Sequence, residues 1–161
     1  MRAKVRAYRI VLPLVLALAC SGARGETLRG KVVRVADGDT LTLLVDRKQV
    51  KVRLTEIDAP ELKQAFGQSS RKSLGELCGG HEAVVRSSGK DRYGRVLGRV
   101  ECGGVDANAE QVRRGMAWVF DRYATDRSLY PLQAVARAER RGLWTEGAPV
   151  APWAWREQHR H

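Results

Sequence analysis

Three carboxylates and an arginine between Asp39 and Glu61 are the residues of this chain best suited to chemistry. Asp39 falls in the turn Asp37-Gly38-Asp39-Thr40, Asp58 and Glu61 fall in Asp58-Ala59-Pro60-Glu61, and Arg53 lies on the strand between them. Carboxylate oxygens can hold a hard cation or take a proton, and a guanidinium fork can hold an anion. Each piece alone has an ordinary structural reading. Asp37 to Thr40 makes a turn in which Gly38 takes left-handed angles, and Asp58 caps a helix that Pro60 opens. Acidic groups gathered at strand ends beside a fixed cation read instead as a site.

The elements that must position these groups follow from periodicity. Val33 and Val35, then Leu41, Leu43 and Val45, then Val50, Val52 and Leu54 alternate with polar residues, which predicts three half-buried strands and points Arg53 away from the apolar interior. Helical spacing in Phe66, Ser70, Leu74 and Leu77 predicts a helix over Glu61–Leu77, stopped by Gly79-Gly80. Ala83–Arg86 and Val96–Val100 read as the arms of a hairpin turned by Lys90-Asp91-Arg92-Tyr93-Gly94. A second helix is expected from about Asn108 to Arg114, stopped by Gly115. A third is expected from about Ser128 to Arg141, with Leu132, Val135 and Ala138 as its buried face. Five strands and about three helices suffice for a small closed barrel in the α+β class. The segment after Gly147 shows too little periodicity to assign, although Trp153 and Trp155 could dock on the barrel.

Residues 1–25 carry a basic start, an apolar run over Ile10–Cys20 and small residues around Ala23 and Gly25, the pattern of an export signal. A retained membrane anchor and a lipoprotein processed at Cys20 are the alternatives. The chain then divides into a signal over 1–25, a domain over 26–146 and a C-terminal tail over 147–161. Five of the 29 basic residues and none of the 18 acidic ones lie in the signal, so the remainder keeps a clear positive excess suited to a polyanion. Cys78 and Cys102 remain after export, placed symmetrically about Lys90. In an oxidising compartment they read as a disulfide across the hairpin, with two buried free thiols as the other possibility. His81, His159 and His161 lie in a loop and at the terminus and read as solvated, and no cysteine–histidine spacing suggests zinc.

Asp37–Thr40, Arg53, Asp58–Glu61 and Asp91-Arg92-Tyr93-Gly94-Arg95, followed by Asn108-Ala-Glu-Gln-Val-Arg-Arg-Gly115 and Arg141-Gly-Leu-Trp144, together resemble the thermonuclease, or staphylococcal-nuclease-like, family over about Gly30–Trp144. The resemblance implies a five-stranded OB-fold barrel and a calcium-dependent phosphodiesterase that cuts single-stranded DNA and RNA with little sequence preference, leaving 3′-phosphate ends. It implies that Asp39 and Asp58, with the carbonyl of Ala59, are the Ca²⁺ ligands. Glu61 would orient or deprotonate the attacking water, Arg53 and Arg95 would contact the scissile phosphate, and Arg92 and Tyr93 would hold a terminal phosphate. Tyr123 matches one of two tyrosines the family places against the base, and Asp121 stands where the other would be. The expected protein is a periplasmic or secreted monomer. The competing expectation is an OB-fold module that binds nucleic acid or protein without cutting it, which has no need of all of Asp39, Arg53, Asp58, Glu61 and Arg95.

Overall fold

The computed structural model describes residues 26–160; the expected export signal, with Cys20, lies outside the described residues. Strands β1 (Thr27–Val35), β2 (Thr40–Val45) and β3 (Lys48–Leu54) form an antiparallel meander, and β5 (Glu82–Lys90) and β6 (Val96–Cys102) form the hairpin. β1 pairs with β5 on one side, and β3 pairs in parallel with β6 on the other, so the order β3-β2-β1-β5-β6 closes on itself. This is the five-stranded OB-type barrel expected from the resemblance, and closure leaves none of the five with a free edge. Its interior holds Val32, Leu41, Leu43, Val52, Leu54, Val85 and Val100, each at most 1% exposed.

The strands differ from their predicted pattern at one point. β1 buries Val32 and leaves Val33 46% exposed, the reverse of the expected parity. The register explains it: Val32 opposes Leu43 and Arg34 opposes Thr42, so Val33 is the extra residue of a bulge. Beyond a bulge the inward set moves by one residue, which returns Val35 to the inside.

The described residues also contain four α-helices. α1 (Gly67–Cys78) begins six residues later than the pattern predicts. Asp58 does not cap it; it belongs to a short strand, β4 (Ile57–Asp58), paired with β8 (Trp118–Val119). The segment between runs through turns, with the Glu61 backbone N–H donating to Gln64 Oε1, and Phe66 takes left-handed angles at the helix start. Helical spacing in Phe66, Ser70 and Leu74 survives because α1 keeps that face, but its first turn never forms. α2 (Ala107–Arg113) follows the two-residue strand β7 (Val105–Asp106), is capped by Asp106, and stops two residues before Gly115, whose φ is +66°.

α3 (Leu129–Ala138) is shorter than expected and turned: Leu129 and Ala136 are buried, while Val135 is 46% exposed and Ala138 lies on the surface. A turn over Glu139–Arg141 and a 3-10 turn (Gly142–Thr145) follow. They bring Trp144 against Trp118, with ring centroids 4.4 Å apart and the Arg137 guanidinium 4.2 Å from the Trp144 ring. α4 (Pro152–Gln158) has proline in its first turn and lies in the segment the periodicity left unassigned. Trp153 seats it by stacking on Phe120 at 5.3 Å, and Gln64 Nε2 donates to the Val150 carbonyl at 2.7 Å.

Cys78 and Cys102 form a disulfide. The bridge does not cross the hairpin, because the partner of Cys102 in β5 is Ala83 and Cys78 is the last residue of α1. It ties the end of the helix to β6. Among the described residues no helix is long and apolar enough to cross a membrane.

Candidate functional site

The turn carrying Asp39 is fixed from three sides. The Asp39 backbone N–H donates to Asp37 Oδ1 at 3.0 Å, and its carbonyl accepts from Leu54 N at 2.8 Å. Gln111, fully buried on α2, donates from Nε2 to the Gly38 carbonyl at 2.7 Å and to the Ser70 carbonyl at 3.1 Å, joining turn, α1 and α2. Gly38 does not take left-handed angles; glycine is required by close approach, since a Cβ there would stand 1.8 Å from Ser70 Oγ. Asp58 is held differently, by the backbone pairing of β4 with β8 opposite Trp118.

Arg53 joins the two carboxylates. Its Nε lies 3.0 Å from Asp39 Oδ1 and its Nη2 3.0 Å from Asp58 Oδ1, while Nη1 donates to the carbonyls of Leu54 and Ile57. With four partners the guanidinium is fixed, and its planar fork suits an anion lodged against its remaining N–H. Asp39 Oδ2 accepts from the backbone N–H of Ala59 at 2.7 Å, and Thr40 Oγ1 donates to Oδ1. Burial pushes the Asp39 carboxyl up to about 7; Arg53 opposes the shift, and Asp37 and Asp58 add to it. Loss of water at this carboxyl thus outweighs the attraction of Arg53.

A second arginine extends the row. Arg156 of α4 places Nη2 2.7 Å from Asp58 Oδ2 and Nη1 2.8 Å from Glu61 Oε1, with Nη1 also 3.2 Å from Asp58 Oδ1. The site thus reads Asp39, Arg53, Asp58, Arg156, Glu61, alternating in charge, with three carboxylates against two guanidiniums. Sequence reasoning missed Arg156 because it sits in the tail without clear period. The available signals were Pro152 as a helix opener and Trp153 three residues before Arg156, one turn apart on a helix.

The other predicted residues are not joined to this row by direct bonds. Arg95 leads into β6, whose Leu97 pairs with Arg53, but its own Nε lies 2.7 Å from Asp91 Oδ2 and its backbone N–H is bonded to the same carboxylate. Donors from Arg95 and Tyr93 outweigh desolvation at Asp91 and hold its carboxyl below the usual range. Arg92 and Tyr93 form the outer tip of that hairpin, with the Arg92 guanidinium 4.9 Å from the Tyr93 ring. Tyr123 is 59% exposed on a loop that Glu56 secures by accepting from Thr125 and Asp126. Asp106 and Asp126, with Glu56, pair with Arg99, which binds that loop to the barrel.

Asp39 and Asp58 supply buried, hard oxygen donors of the kind a divalent cation takes. Among the described residues no three acidic, histidine or cysteine side chains converge on one point. The two aspartates that Arg53 joins are the buried carboxylates of the row, while Glu61 is 38% exposed. The donor set therefore fits a hard cation completed by carbonyl and water oxygens. Residues 51–146 match the family described as Staphylococcal nuclease homologue. The chain belongs to the staphylococcal nuclease family. With the family comes the reaction class, and this family member is a phosphodiester hydrolase. It is 43% identical over 151 residues to a protein of Escherichia coli called an uncharacterized endonuclease, covering 93% of this chain and 99% of that one. It is 40% identical over 167 residues to a micrococcal nuclease of Shigella flexneri, covering 97% and 95% of the two chains. A probable staphylococcal-like nuclease of rice is 32% identical over 131 residues, which is 81% of this chain and 34% of the rice protein.

Proposed function

We propose that this protein is an exported, calcium-dependent endonuclease that cuts single-stranded DNA and RNA with little sequence preference and leaves 3′-phosphate ends. The observation that carries the reading is Arg53 held between Asp39 and Asp58 in a family of phosphodiester hydrolases. Asp39 and Asp58, with the carbonyl of Ala59, would hold Ca²⁺. When bound, the ion would neutralise phosphate charge and polarise a phosphate oxygen.

The chain's own groups do the rest. A phosphodiester is an anion that repels a nucleophile, so its charge must be met before water can approach. Arg53 offers a fixed, permanently charged donor, and donors of this kind count most where charge builds in the transition state. Arg95, once drawn from Asp91 by a phosphate, is the second. Glu61 takes or steers the proton of the attacking water as the new P–O bond forms. The bond from phosphorus to the 5′ oxygen breaks, and that oxygen leaves as a hydroxyl after gaining a proton, so the phosphate stays on the 3′ side. Arg92 and Tyr93 at the hairpin tip fit a flanking phosphate and base, and Tyr123 fits a base face.

The positive excess of the chain favours a polyanionic substrate. A disulfide accords with an oxidising compartment, and with it the export signal over residues 1–25. The test is release of acid-soluble nucleotides from denatured DNA and from RNA, with Ca²⁺ and with a chelator. Release only with Ca²⁺ is expected. Equal release in both removes the calcium mechanism, and none in either favours an OB-fold module that binds without cutting.

A further inference from the structure

Arg156 is the member of the charged row that the family motifs do not account for. We propose that it is a built-in competitor for the divalent cation: the C-terminal helix holds a guanidinium on Asp58 and Glu61, and the cation must displace it from Asp58 to bind. The inference rests on the calcium reading given above and deepens it by naming the residue that sets the metal affinity.

The geometry gives Arg156 both oxygens of Asp58, at 2.7 and 3.2 Å, while Arg53 already bonds one of them. A carboxylate only 1% exposed is then flanked by two positive charges. A divalent cation ligated by either oxygen would stand a few ångströms from both, in a setting where like charges repel strongly. Arg53 cannot yield, because its Nη1 is bonded to two backbone carbonyls and its side chain is only 15% exposed. Arg156 can. Its side chain is 40% exposed, and α4 stays seated through Trp153 and Val150 when the guanidinium swings out. The same guanidinium holds Glu61 Oε1, so its departure from Asp58 also frees Glu61. Metal binding and release of the water-handling carboxylate are thereby coupled through one side chain.

Calorimetric titration of Ca²⁺ into the full-length protein tests this without reference to activity. Arg156→Gln should bind Ca²⁺ about ten- to hundredfold more tightly than wild type, the usual size of a coupling between two sites. Arg156→Lys, which keeps the charge but loses the fork, should fall between. Wild-type or weaker affinity in Arg156→Gln overturns the inference and leaves the calcium reading standing. No specific Ca²⁺ binding in either protein, with Asp39→Asn behaving identically, overturns the calcium reading itself. A second measurement needs no variant: a dicarbonyl reagent should modify Arg156 faster when wild type is saturated with Ca²⁺, as read by mass spectrometry. Unchanged or slower modification overturns the competition.

Discussion

Gln111→Met isolates the bond that anchors the Asp39 turn. Gln111 is fully buried, and its Nε2 serves the carbonyls of Gly38 and Ser70 while its Oε1 finds no partner. Methionine matches its length and fills the space, so little cavity arises. What is lost is the donor to Gly38, whose carbonyl is left buried and unpaired; Ser70 keeps its place in α1. An orphaned carbonyl costs about 1–3 kcal/mol, and removal of the unsatisfied Oε1 offsets part of it, giving a net destabilisation of about 1.5 kcal/mol. For a chain of this size that lowers the Tm by about 4 °C. The turn also carries Asp39, and a misplacement of about 1 Å can cost about 10²-fold in rate, so nucleotide release at 25 °C should fall at least about tenfold while the protein remains folded. Thermal unfolding by circular dichroism and the release assay are read side by side. A Tm within about 1 °C of wild type together with an unchanged rate would show that Gln111 does not hold the turn.

Gly38→Ala puts a Cβ 1.8 Å from Ser70 Oγ and 2.7 Å from Ala59 Cβ, so the turn must shift away from α1, and activity should drop by orders of magnitude; Ala at full rate would place the tight contact elsewhere. Reduction of the Cys78–Cys102 bridge, which spans 24 residues, should lower stability by about 3 kcal/mol in the chain-entropy model, read as a shift in urea midpoint, and an unchanged midpoint would contradict it. The pH dependence has two sides. Burial raises Asp39 to about 7, so the folded protein keeps a proton that the unfolded chain has released above 3.8, and this contribution is full below 3.8 and lost as pH rises toward 7. At Glu56 desolvation is outweighed by the donors from Thr125 and Asp126, its carboxyl lies below the usual range, and its contribution is lost only as pH falls through that lowered value. Melting curves of wild type should therefore decline from acidic to neutral pH, and Asp39→Asn should flatten that decline; equal slopes would remove Asp39 as its source.

Most of the barrel was legible because alternation is a local property: Leu41 and Leu43, and Val52 and Leu54, declare their faces within a few residues. The bulge in β1 was not, since Val32 and Val33 are equally apolar and the extra residue is set by pairing with β2. The start of α1 was hidden for a related reason. Asp58 and Pro60 make a fair helix opening, but the backbone of Asp58 is committed to β8, a strand sixty residues away. The pair Asp39 and Asp58 and their bridge Arg53 could be read from motif and parity. Arg156 could not, because its partners are almost a hundred residues distant and a seven-residue helix leaves little periodic trace. The pairing of the cysteines followed from their number and the compartment expected for an exported chain, yet the geometry behind it is a helix end meeting a strand.

The measurement closest to the central claim is the single-turnover rate of Glu61→Gln on a short single-stranded oligonucleotide. Glu61 is 38% exposed and its replacement is isosteric, so the fold should be undisturbed. The rate should fall about 10²- to 10⁴-fold, as for loss of a positioned base, with the Tm unchanged. Wild-type turnover in Glu61→Gln would show that the carboxylate row is not where phosphodiesters are cut.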